Sequence, residues 1–510
     1  MAHHDREMEE LDKTSDVIVP SDETAVEVRK AKRESEPSGP PPLFDQLKEI
    51  AIGSKLNILY LFIPVAILSG MNDGPGALTF ASSFFALIPL AALLGDLTED
   101  LADQTNDAIG ALINVTFGNI TEVIVGFAAL RLKQYDLIQM TMLGSVFGNM
   151  LLVLGSSLLI GGLKAPMLSF NGDAVKTYIG LLLLGCMGTV IPTAFSSLST
   201  ESGSSSAVQN VSAHVSLVLM VFYFLYLFFQ LRTHKSMFDG EDGGEDGGED
   251  DDDEEGDGPK FSFIVAFIAI GAVAVLISII SDFLVDTVSS AAKKKSLVLM
   301  VFYFLYLFFQ LRTHKSMFDG EDGGEDGGDD DDEEGEGPKF SFIVAFVAIG
   351  AVAVLISIIS DFLVDTVSSA ADTFHLSRHF IGLVIIPIVG NVAEHASAII
   401  MAAKGKIDIA FGVALGSSIQ IQMFAFPLLA VASWVMGLDM DMNVTPFLAA
   451  TLFVCVIVTY SCVFDSSATW LQGAKLLCAY LLLALAFLDA PDPATTTAAP
   501  TTSKRLAAMM

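Results

Sequence analysis

Long apolar runs separated by short polar breaks dominate the chain, and most have the length needed to cross a hydrocarbon core. Taken in order, they predict spans near 56–70, 77–95, 110–131, 137–162, 174–194, 213–231, 261–286, 296–311, 340–366, 378–403, 407–432, 446–464 and 470–488. Two acidic stretches, 239–258 and 319–337, interrupt the series. The expected divisions are a disordered N-terminal tail at 1–55, a first transmembrane half at 56–238 and an acidic loop at 239–258. A duplicated span and linker at 259–295, a repeated span at 296–318 and a second acidic loop at 319–339 follow. A second transmembrane half at 340–490 and a disordered tail at 491–510 complete the chain.

Two of these runs carry polar groups at membrane depth. The first contains Gly118-Asn119-Ile120-Thr121-Glu122, and the second contains Gly390-Asn391-Val392-Ala393-Glu394-His395. In each, Asn and Glu are three residues apart, which puts both side chains on one helix face. A carboxylate inside an apolar span is costly and points to a cavity or pathway. Two such sites in two halves of one chain suggest a transporter built from repeats, with its substrate at the repeat interface.

The middle of the chain holds a second kind of repeat. Residues 216–292 recur almost letter for letter as 296–371, with one acidic residue fewer, Asp257 replaced by Glu336 and Ile268 by Val347. Identity this high indicates either a very recent tandem duplication or a fault in the assembled gene. Each copy carries two spans, so the extra copy leaves the orientation of everything downstream unchanged.

The paired GNxxE and GNxAEH motifs resemble those of the cation/proton exchanger branch of the calcium/cation antiporters. The stretch from Ala111 to Phe117, Gly144-Ser145 with Asn149-Met150-Leu151-Leu152-Val153-Leu154-Gly155, and Ala414 to Gln420 agree with that family. The resemblance implies an all-α integral membrane protein with inverted five-helix repeats and an extra N-terminal helix. It implies about 11 spans, against about 13 here because of the duplicated block. It also implies a cytosolic N-terminal tail and a multi-pass protein of a vacuolar or other acidic endomembrane. The activity implied is exchange of cytosolic Ca²⁺ for protons by alternating access, without enzymatic chemistry or a resident cofactor.

Oxygen ligands suit hard cations, and two carboxylates balance a divalent ion. Glu122 and Glu394 with Asn119 and Asn391 form the candidate metal set, and Gln139, Ser145, Ser417 and Gln420 on neighbouring spans are candidate further ligands. Ca²⁺ fits an irregular oxygen cage, and Mn²⁺ is a credible second substrate. His395 titrates in a useful range. The resemblance groups it with Glu99, Asp361 and Asp365 for proton coupling, the last two four apart on one helix face and expected within hydrogen-bonding reach of the imidazole.

Charge and composition change this picture little. The net charge of −33 resides largely in the two acidic runs, and 52% of residues are hydrophobic. No apolar segment near the start reads as a signal peptide. The four cysteines, Cys186, Cys455, Cys462 and Cys478, show no CxxC spacing and are expected to be buried free thiols. Partners are expected to be the bilayer, Ca²⁺ and protons, with a homo-oligomer allowed and no nucleic acid. Competing readings are a Na⁺-coupled or Mn²⁺-preferring exchanger, a Ca²⁺-buffering membrane protein and an intramembrane enzyme. No HExxH or GxGD motif supports the last.

Overall fold

The structure is a computed structural model, which describes residues 41–105, 110, 113, 117–198, 204–234, 237–238 and 339–490. The spans expected at 261–286 and 296–311, both acidic loops, most of the N-terminal tail and the C-terminal tail lie outside the described residues.

The described chain is a helical bundle. Its helices are α1 (Leu43–Ile52), α2 (Lys55–Met71), α3 (Gly76–Asp103), α4 (Ile120–Arg131), α5 (Tyr135–Lys164), α6 (Gly172–Leu198) and α7 (Ser206–Leu231). After the break come α8 (Phe342–Asp365), α9 (Val367–Phe374), α10 (Arg378–Gly390), α11 (Val392–Ala403), α12 (Ile407–Met436), α13 (Pro446–Val463) and α14 (Trp470–Leu488). Eight of these are long and apolar enough to cross a membrane, and up to ten if each bent pair counts as one span. Two short strands, β1 (Leu168–Ser169) and β2 (Ser467–Ala468), pair antiparallel.

Three expectations need correction. The tail expected to be disordered to residue 55 contains α1. Leu43, Phe44, Leu47 and Ile50 recur at helical spacing behind Pro42, which suits a helix start. The helix then turns by 78° into α2. The run 378–403, expected as one span, is broken at Asn391, because Pro387 and Gly390 weaken the helix there. Cys478 is exposed on α14 rather than buried; the other three cysteines are buried.

The core is apolar throughout, with Leu87, Leu94 and Leu97 of α3 fully buried beside Ile356, Ile359 and Leu363 of α8. The outer surface is also apolar: Ile343 is 74% exposed, and Leu482 is 64% exposed. That is the arrangement a hydrocarbon solvent demands, since it offers no partner for polar groups. Small residues allow close approach, as where a Cβ on Gly473 would press on the backbone of Gly155 and Leu158.

Polar contacts sort the helix ends onto two faces. On one face, Arg131 pairs with Asp361, Arg378 Nη2 donates to Gln134 Oε1 at 2.8 Å, and the α12–α13 loop meets the start of α5. On the other, Lys164 Nζ donates to the Ala403 carbonyl at 2.8 Å, and the backbone N–H of Asn171 donates to Asp408 Oδ1 at 2.7 Å. The entry to α8 is fixed with equal care. Asp100 at the end of α3 accepts from the backbone N–H groups of Lys339 at 2.7 Å and Phe340 at 3.2 Å, and Ser341 N–H donates to Gln46 of α1 at 2.9 Å. A carboxylate at a helix N-terminus satisfies donors that the helix itself cannot.

Candidate functional site

The helices α4 and α11 both begin inside the bundle, at Asn119 and Asn391. Neither asparagine side chain folds back to cap its own helix. Each side chain therefore reaches sideways into the protein. Glu122 and Glu394 follow in the first turn, where the positive end of the helix favours a carboxylate. The helix α4 ends at Arg131 on one face, and α11 ends at Ala403 on the other, so the two motif helices run in opposite senses.

The long helices α5 and α12 complete the site, and both widen to π-type turns beside it, at Gly148–Val153 and Ile421–Ala425. The Ser417 hydroxyl lies 2.8 Å from Asn119 Oδ1 and 2.9 Å from Glu394 Oε2, and it accepts from Asn149 Nδ2 at 2.9 Å. Asn149 Nδ2 also reaches Glu394 Oε2 at 3.3 Å, and Asn119 Nδ2 donates to Gln420 Oε1 at 2.9 Å. A serine has one proton to donate. Two acceptors therefore share it, and a proton on Glu394 would relieve the shortage by donating to Ser417.

The other half of the site is starved of donors. Both oxygens of Glu122, Oδ1 of Asn149 and both ends of the Asn391 amide are buried without partners. Glu122 adjoins a cavity of about 20 Å³ shared with Thr121, Thr141, Ser145 and Gly390. That is room for one water or one ion. The Glu122 carboxyl lies against Gly390, four residues before Glu394. Buried acceptors are normally satisfied, so four oxygens without donors, two of them on the Glu122 carboxylate beside that cavity, form a place for a cation to complete.

The structure thus brings together Asn119, Glu122, Asn391, Glu394, Ser145, Ser417 and Gln420. Gln139 is not among them. It lies near the outer end of α5, where its Nε2 donates to the carbonyls of Asp441 and Asn443, both at 3.0 Å. The expected acidic group around His395 is not assembled either. Asp361 pairs with Arg131, Asp365 is exposed near the end of α8, and Glu99 lies at the opposite end of the bundle because α3 and α8 run antiparallel. His395 Nε2 is buried and unpartnered. The sequence reading missed Asn149. A polar residue within the apolar Asn149-Met150-Leu151-Leu152-Val153-Leu154-Gly155 run was the available signal.

The sequence profile described as sodium/calcium exchanger protein matches residues 75–232 and 344–488, more than half of the chain. The chain belongs to this family. Within it, the chain groups with the cation/proton exchangers. Vacuolar cation/proton exchanger 5 of Arabidopsis thaliana is 31% identical over 455 residues, covering 88% of this chain and 85% of that protein. The vacuolar calcium ion transporter of Schizosaccharomyces pombe is 28% identical over 447 residues, covering 87% of each. Among solved structures, native YfkE superposes with a TM-score of 0.58 at 26% identity, covering 85% of this chain and 99% of its own. The H⁺/Ca²⁺ exchanger CAX shares the fold, with a TM-score of 0.51 at 12% identity, covering 84% of this chain and 87% of its own. Relatives and apolar helices together make this exchanger a multi-pass protein of the vacuolar membrane.

The family match skips 233–343, which holds most of the first copy of the duplicated block. The end of α7 comes from the first copy and α8 from the second, and the described chain leaves and re-enters on one face. Deleting 216–295 from the exchanger should therefore yield a folded, membrane-inserted protein with cation uptake within about threefold of the full chain, since both described helices keep their sequence. A deletion variant that loses insertion or uptake, while the full chain keeps both, would show that the extra copy is structural.

Proposed function

We propose that this exchanger moves Ca²⁺ from the cytosol into the vacuole in exchange for protons, by alternating access around one site near the bilayer midplane. The observation that carries this reading is the set of four donor-less acceptor oxygens, from Glu122, Asn149 and Asn391, beside a Glu394 that competes for a single serine proton. A divalent cation supplies what the oxygens lack. When the cation leaves, protons on the facing carboxylates supply it instead. Occupancy by one or the other, never both, is the chemical requirement of an antiporter.

In this reading, Glu122, Glu394 and Asn391 ligate the cation, with Ser145, Ser417 and Asn149 around it. Asn119 and Gln420 hold the Ser417 side of the site. The opposed motif helices and the matched π-turns in α5 and α12 support inverted repeats that rock about the site. Mn²⁺ fits the same donor set as a second substrate. His395, one residue beyond Glu394, tunes proton linkage and is not a ligand.

Ca²⁺ uptake by vesicles bearing the full chain, driven by an imposed pH gradient, tests the reading. Uptake driven by a Na⁺ gradient alone, or none under either gradient, would overturn it. In the same assay His395→Ala should shift the pH dependence of uptake while leaving equilibrium Ca²⁺ binding within about twofold, because the imidazole follows Glu394 directly and its buried Nε2 has no partner. A variant with the original pH profile and weakened Ca²⁺ binding would place His395 in the cation site.

A further inference from the structure

The helices α5 and α12, each 30 residues long, carry the site in the same register. Ser145 stands ten residues after Tyr135, and Ser417 ten after Ile407; Gly148 and Gln420 each stand thirteen after. At this last position the two halves differ. Gln420 accepts from Asn119 Nδ2 at 2.9 Å, and Ser417 lies 2.8 Å from Asn119 Oδ1, so the Asn119 amide is used at both ends.

The matching asparagine, Asn391, faces Gly148. A Cβ built on Gly148 would have one atom within 4 Å, Asn391 Nδ2 at 3.7 Å. Asn391 is 1% exposed, and neither end of its amide has a hydrogen-bond partner. A buried amide left unsatisfied at both ends is costly, and such a group persists where a ligand completes it. The amide oxygen can ligate a cation, but the NH₂ group cannot, so its nitrogen needs an acceptor of its own. Apart from the Asn391 amide, no atom outside the helix lies within 4 Å of the Cβ position of Gly148, and a water there would accept from Nδ2 with one lone pair and keep the other for the cation.

We propose that Gly148 is a specificity-determining position of the exchange site: it keeps open, beside the Asn391 amide, a seat for one water that stays with the transported cation. The inference rests on the exchange reading above and adds to it a cation held partly hydrated on the Asn391 side. Ca²⁺ suits such a seat because it accepts mixed shells of protein oxygens and waters. The glycine is required for the space it leaves and not for its backbone freedom, since Gly148 lies within α5 at an ordinary helical conformation.

Alanine and serine at 148 separate this role from packing. An alanine Cβ fits at ordinary contact distance and favours the helix, so a steric or folding defect is not expected. Gly148→Ala should nevertheless weaken equilibrium Ca²⁺ binding to the full-length exchanger about tenfold, because it displaces a well-held water without replacing its hydrogen bond. Gly148→Ser should recover affinity to within about threefold, its hydroxyl accepting from Asn391 Nδ2 as the water does. In an Asn391→Ala background, Gly148→Ala should cause no further loss, because the two changes act on one interaction. The proposal is overturned if Gly148→Ala binds Ca²⁺ like the original protein, if Gly148→Ser is as weak as Gly148→Ala, or if the losses at 148 and 391 simply add. Failure of the exchange reading itself looks different: the unaltered protein would then show neither Ca²⁺ binding nor pH-driven uptake.

Discussion

Glu122→Gln and Glu394→Gln should each abolish pH-driven Ca²⁺ uptake, while protein level and membrane insertion stay unchanged. Both substitutions keep the shape of the side chain and remove one negative charge. Two carboxylates balance a divalent ion; with one left, a net positive charge sits in a medium that solvates it poorly. Removing one partner of a buried charge pair costs about 3–5 kcal/mol, which corresponds to a loss of affinity of more than about 100-fold. The two variants should differ in detail. Glu122 has no hydrogen-bond partner to lose, so Glu122→Gln should leave the surrounding structure undisturbed. Glu394 accepts from Asn149 and shares the Ser417 hydroxyl with Asn119, so Glu394→Gln also redistributes those hydrogen bonds. Near-normal uptake by either variant would remove that glutamate from the site.

Gly390→Ala should reduce uptake about 100-fold, the scale on which a displacement near 1 Å disables a positioned reacting group. A Cβ at this position would collide with the Glu122 carboxyl group. The neighbouring cavity of about 20 Å³ cannot take both the displaced carboxyl and a cation. Stability should not fall in parallel, because Gly390 closes α10 in a helical turn and alanine is the better helix former by about 1 kcal/mol. Gly350→Ala provides the control. It lies in α8 with no atom within 4 Å of the added methyl, and uptake there should be unchanged. Equal losses at 390 and 350 would mean that the effect is general to helix glycines and unrelated to Glu122.

Much of this was legible in the chain. The helices follow the apolar runs because a hydrocarbon solvent leaves the backbone few alternatives to helix. The paired Asn and Glu of each motif announced themselves because polar groups at that depth are too costly to be incidental. Ser145, Ser417 and Gln420 were found for the same reason.

What failed depended on where helices meet. Gln139 and Asn149 are both polar residues in α5, and spacing along one helix does not say which of them reaches Glu394. The pairing with α12 decides it, bringing Asn149 to Ser417 and sending Gln139 to the α12–α13 loop. The grouping of Glu99 with Asp361 failed for a related reason, since antiparallel packing of α3 and α8 carries them to opposite ends. Local periodicity therefore determined the spans, the two motifs and most of the polar residues that enter the site. The tertiary structure alone decided which buried oxygens are satisfied and which are left without donors. That distinction depends on atoms more than two hundred residues apart in the chain lying within about 3 Å in space, the reach of a hydrogen bond.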